Sequence, residues 1–234
     1  MKNFIILFIT SMSLIAFTFV GDSETRNLEK FNSIDVAGSY DITLVQGDEH
    51  KAEIEMIKGD IEQCDISVKN GTLYLKFKKT GFKWGGDNNK AKVMLHYSKI
   101  KSLDMSAGSK VKTDGKIAAE AFMLDVSSGA SATIEVDVNM LEVDLSSGSR
   151  AKVNGSAGTQ KVDVSSGAAY KASRLESKKA NVDVSSGSAA SIWVTEEITA
   201  EASSGGSVKY KGEPEKKNID IGKYSGGSIK AVKS

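Results

Sequence analysis

Apolar and polar residues alternate in short bursts along residues 103–226, and each burst ends on glycine. Seven segments align: Leu103–Gly108 (LDMSAG), Leu124–Gly129 (LDVSSG), Val143–Gly148 (VDLSSG), Val162–Gly167 (VDVSSG), Val182–Gly187 (VDVSSG), Ala200–Gly205 (AEASSG) and the looser Ile219–Gly226 (IDIGKYSG). Their final glycines lie 21, 19, 19, 20, 18 and 21 residues apart. Period-two alternation marks a strand with one buried face, so Val162 and Val164 point one way while Asp163 and Ser165 point the other. A second short alternating piece follows most glycines: Thr133–Val136, Ala151–Val153, Ser191–Val194 and Val208–Tyr210. Strands this short bury an apolar face only by stacking one repeat on the next. A period near twenty leaves no room for a crossover helix, and the leucine-rich signature of that period is missing. The pattern therefore predicts an all-β chain, a right-handed parallel β-helix (β-solenoid).

The glycine at one place in every coil predicts a corner with positive φ, or an approach too close for a Cβ. The second serine of each unit is expected to face inward there. Ser128, Ser147, Ser166, Ser186 and Ser204 would then form a column of hydroxyls bonding between coils. Coils about 4.8 Å apart make seven of them span roughly 34 Å.

Residues 27–100 lack the repeat but still read as β, an irregular portion suited to covering one open end of the regular coils at 101–234. Phe31–Gly38 (FNSIDVAG) looks like an early copy of the unit, Tyr40–Gly47 and Ala52–Ile57 alternate, and Ala91–Tyr97 is another strand. Asn70-Gly71, between Ile66–Val68 and Leu73–Phe77, is a strong hairpin signal. Phe31–Asp48 (FNSIDVAGSYDITLVQGD), followed by the VDVSSG coils, resembles the putative auto-transporter adhesin, head GIN domain family. The resemblance spans about residues 28–231 and implies a β-helical fold, export and an adhesin label. It brings no catalytic residues with it.

Composition adds little to the fold but narrows the function. Lys and Arg total 31 against 30 Asp and Glu, a net +1 that gives no footprint for nucleic acid or an anionic membrane. Lys2 followed by the apolar run Phe4–Val20 has the layout of a signal peptide over residues 1–21, with no membrane insertion after its removal. The expected location is the periplasm, the outer surface or the medium. The one cysteine, Cys64, precludes an internal disulfide and sits in a strand pattern, where a small buried apolar role is the ordinary one.

Catalytic constellations are missing: His50 and His96 have no ligand-like spacing, no nucleophile elbow occurs, and no cofactor is implied. Stacking would align Asp104, Asp125, Asp144, Asp163, Asp183, Glu201 and Asp220 as an outer acidic ladder about 5 Å apart. That spacing matches a retaining glycosidase pair, and Asp125, Asp144, Asp163 and Asp183 are weak candidates for calcium. Seven carboxylates in nearly one environment argue against an acid–base pair. The plainer reading is a solvated ladder screened by flanking Lys110, Lys152, Lys161 and Lys171. Residues 80–89 (TGFKWGGDNN) offer Phe82 and Trp84 beside Asp87, Asn88 and Asn89, an aromatic and polar loop suited to a sugar ring or a protein. Trp193, within a coil strand, either faces outward or widens the core. These features predict a non-catalytic, adhesin-like binding protein whose partner is a glycan or protein at the cell surface. An envelope assembly factor without its own ligand and a polysaccharide-active enzyme are the alternatives.

Overall fold

The computed structural model describes residues 22–78, 89–222 and 226–232. The expected leader, and Phe82, Trp84, Asp87 and Asn88, lie outside the described residues. The chain is a β-solenoid of about seven turns with irregular strands at its N-terminal end. The regular coils are β9 (Lys110–Val126), β10 (Ser131–Leu145), β11 (Arg150–Val164), β12 (Ala169–Val184) and β13 (Ala189–Ala202), each parallel to the next. Further strands β14 (Ser207–Lys211), β15 (Lys216–Ile221) and β16 (Ser228–Ala231) continue the stack. Inward residues such as Val143, Leu145, Val162, Val164, Val182 and Val184 are buried and form one core along the stack.

Each pair of long strands is joined by the same turn. Ser128, Ser147, Ser166, Ser186 and Ser204 have φ between 48° and 53°, and the glycine after each has φ between 71° and 78°. Two consecutive left-handed residues, closed by a bond such as Ala130 N–H to Ser127 C=O (3.0 Å), make a type I′ turn. Gly129 N–H donates to the Ser147 carbonyl of the next coil (3.1 Å), so the ladder runs through the corner without a gap. This corrects the expected hydroxyl column, because a left-handed residue at the tip of a tight turn directs its side chain outward. Ser128, Ser147, Ser166, Ser186 and Ser204 are all exposed. The inward residue is the one after the glycine: Ser109, Ala130, Ser149, Ala168 and Ser188, all buried. The Oγ atoms of Ser109, Ser149 and Ser188 have no hydrogen-bond partner among the described residues.

Coil length varies while the turns stay aligned, because extra residues bulge at the bend after the first strand. β9 runs from Lys112 to Lys116 where β10 needs only Thr133 to Glu135. β12 uses Ala172–Glu176 opposite Ile192–Trp193 of β13. At the same bend Gly155 has φ +111°, and a Cβ there would collide with the Val136 carbonyl of the preceding coil.

The N-terminal strands are stacked out of chain order. β2 (Ser33–Ala37) lies between β6 (Thr72–Phe77) and β8 (Ser102–Ser106), all parallel. Likewise β3 (Tyr40–Gln46) lies between β7 (Lys90–Tyr97) and β9. Residues 33–46 are thus a coil of the solenoid as well as part of its N-terminal portion. Antiparallel strands then close this end: β4 (Lys51–Lys58) on β7, β1 (Ser23–Asn27) on β4, and β5 (Cys64–Lys69) on β6. Asn70 (φ 52°) and Gly71 (φ 76°) make the expected hairpin. Tyr40 stacks on Phe77 with centroids 4.3 Å apart and donates to the Lys76 carbonyl at 2.8 Å. Cys64 is buried with Sγ 3.4 Å from Met56 Sδ, and desolvation raises its thiol pKa, as an inert core residue requires.

Candidate interaction surface: two charged sides of one coil

The strand before each turn carries the acidic ladder. Its register runs Asp35, Asp104, Asp125, Asp144, Asp163, Asp183, Glu201, Asp220, one residue per coil. Asp35 extends the column beyond the seven repeats and is ion-paired with Lys76 at 3.2 Å. Burial, then the neighbouring carboxylates, raises the pKa of Asp125 and Asp144, and the same two causes act at Asp104 and Asp183. A shallow groove of about 300 Å³ runs past Asp144, Asp163 and Asp183. Among the described residues no three His, Cys, Asp or Glu side chains gather closely enough to hold a metal ion. The ladder sets one carboxylate per coil, with Glu142 beside Asp144, in a row along the axis, whereas calcium needs six to eight oxygens around one point.

The expected screening of this ladder by lysines is corrected for three of the four. Lys161 engages Glu142 at 2.8 Å and also feels the Asp163 carboxylate. Lys110, Lys152 and Lys171 belong to the strands after the turn, on a different side of the coil.

That second side is a basic strip. One outward row reads Lys112, Thr133, Lys152, Lys171, Ser191, Lys209, Lys230 from coil to coil, and the adjacent row reads Lys110, Ser131, Arg150, Ala169, Ala189, Ser207, Ser228. Among the described residues the seven cations make no ion pair, and both rows contain no acidic side chain. Acid reappears where β9 meets the N-terminal strands, at Asp41 beside Lys110 and at Glu53 and Glu55. There Lys92 meets Glu55 at 3.7 Å, and a groove of about 260 Å³ opens between them and Lys112. The signal for this strip is present in the sequence, as a Lys at the fourth position after a turn glycine in five coils of seven. Net charge conceals it, because the two sides cancel.

Of the five loop residues predicted to bind a ligand, only Asn89 is described. It is half-buried against Gly59, a glycine whose φ of +98° leaves no room for a Cβ beside the Asn89 amide. The others belong to residues 79–88, which follow β6 and precede β7 in the chain. Trp193 faces outward between buried Ile192 and Val194, with Lys211 Nζ 3.7 Å from its ring centroid. Its carbonyl instead serves the interior, accepting from Ser177 Oγ at 2.7 Å.

Among curated proteins, none matches the sequence. Solved structures do resemble the fold. A putative adhesin of Bacteroides fragilis superimposes with a TM-score of 0.77 at 18% identity, over 91% of this chain and 94% of that one. A putative adhesin of Parabacteroides merdae gives 0.72 at 16%, over 90% and 95%. A protein of Parabacteroides distasonis described as a putative lipid binding protein gives 0.65 at 20%, over 92% and 98%. At these identities the likeness concerns the fold alone. The family model described as "putative auto-transporter adhesin, head GIN domain" matches residues 30–214, most of the solenoid and both charged sides, and the chain belongs to that family.

Proposed function

We propose that this chain is an exported, non-catalytic, adhesin-like protein of the cell envelope that meets glycans or proteins through the sides of its solenoid and the residue 80–89 segment. The observation that carries the reading is the pair of long sides whose charged groups, Asp35 apart, make no ion pair among the described residues. Exposed side chains fixed at one per coil supply many weak contacts along a line, which is how a binding surface without a deep pocket gains affinity. The acidic ladder does not suit chemistry, because general acid and base need two carboxylates in different environments and these share one. Export rests on the leader-like residues 1–21, and among the described residues no helix is long and apolar enough to cross a membrane. A glycan array with the purified chain tests the proposal. Retention on a defined subset of glycans, weakened by Trp84→Ala, is the expected result. Turnover of a polysaccharide, abolished by changing a single Asp, would replace it with an enzyme.

A further inference from the structure

We propose that the basic strip is a binding site for a linear acidic polysaccharide, lying along the solenoid axis from Lys112 to Lys230. The inference rests on the adhesin-like reading and adds to it the side of the coil and the class of glycan. Three observations support it. The cations repeat on the rungs of the stack, with Lys152 and Lys171 on adjacent coils about 4.8 Å apart and Lys112 and Lys152 two coils apart. Both spacings are close to the screening length of about 8 Å at physiological salt, so neighbouring charges act jointly on a polyanion. A pyranose unit advances its chain by about as much as one coil advances the solenoid, so charged groups along the polymer meet cations along the strip.

Between the cations stand hydroxyls and methyls. Ser131, Thr133 and Ser191 supply the donors and acceptors a sugar needs, and Ala169 beside Ala189 leaves a shallow step next to Lys171. Asp41, Glu53 and Glu55 end the strip at the N-terminal strands, and the acidic ladder faces a different direction, so a polyanion has one run of about 29 Å to occupy. A second copy of the chain, offering its acidic ladder, would meet the same cations. The interleaved hydroxyls favour the sugar over carboxylates alone.

The test is titration of the full chain with polygalacturonate, neutral dextran and duplex DNA at 50 and 200 mM NaCl, with light scattering in parallel. Expected is binding to polygalacturonate but not to dextran, weakened at least tenfold at the higher salt. Lys152→Glu with Lys171→Glu should weaken it at least tenfold more, and the milder Lys152→Gln with Lys171→Gln several-fold. Asp125→Asn with Asp144→Asn should leave it within twofold. Affinity that ignores both lysine pairs overturns the inference while leaving adhesion by other surfaces intact. Equal binding of DNA, or a doubled mass at low salt that either charge change abolishes, overturns it in favour of those partners. Silence towards every glycan, neutral ones included, would remove the adhesin-like reading as well.

Discussion

The strands before and after each turn share one core and one hydrogen-bond ladder, yet they present opposite charge to solvent. Before the turn, every coil places a carboxylate at the same outward position, and at Asp125 and Asp144 burial, then the like-charged neighbours, raises the pKa. After the turn the cations are interrupted by Thr133 and Ser191, which spaces the repulsion. Opposite-charge pairs directly across strands are what a sheet normally uses for stability. This solenoid keeps a few of them, Lys116–Glu135, Lys161–Glu142 and Lys179–Glu197 between adjacent coils, while the ladder from Asp104 to Asp220 and the basic strip make none among the described residues.

The separation depends on the two bends that bound the basic strand, and breaking them should have the largest effects. Gly155→Ala puts a methyl on the Val136 carbonyl in a left-handed conformation. A loss of about 3 kcal/mol is expected in denaturant unfolding, from backbone strain and forced displacement together. Gly148→Ala sits in open space at φ +71° and should lose only the conformational part, about 1 kcal/mol. Equal losses would mean that close approach between coils does not set the bend.

Ser149→Ala sharpens the comparison at the junction itself. Its Oγ is buried without a partner among the described residues, and neighbouring coils already carry Ala130 and Ala168 there. A gain of about 1 kcal/mol is expected, since a buried hydroxyl without a bond costs that much. A loss would reveal a partner for the hydroxyl.

The smallest effect concerns the ladder. Asp125 and Asp144 have folded pKa values raised above the ordinary 3.8, so folding favours their protonated forms. Their contribution is therefore most favourable below pH 3.8 and is lost as pH rises through the folded pKa. Asp125→Asn with Asp144→Asn should be slightly more stable than the parent at pH 7, with the advantage vanishing towards pH 4. An advantage constant across that range would point away from charge. Measuring the difference between variant and parent also removes His50, whose depressed pKa acts in the opposite direction.

Much of this was legible along the chain, and the particular residues show why. Val162, Asp163 and Val164 declare their sides by alternation, a local property. Asn70-Gly71 declares a hairpin because few residue pairs accept two positive φ values. The Ser-Gly pairs declare a corner for the same reason, but a serine is tolerated there only with its side chain outside, a consequence of turn geometry that the inward expectation for Ser128 missed. The basic strip is hidden in the linear sequence because Lys112, Lys152, Lys171 and Lys209 fall into one row only once whole coils are stacked in register.

By itself the sequence determined the strand, the turn and the repeat, since alternation and positive φ are set within six residues by sterics and burial. Only the tertiary structure decided which side each charge faces, that β2 and β3 slot in between β6 and β7 on one side and β8 and β9 on the other, and where bulges absorb unequal coil lengths. Those outcomes depend on hydrogen bonds between residues some twenty to seventy positions apart, and no local pattern fixes that pairing.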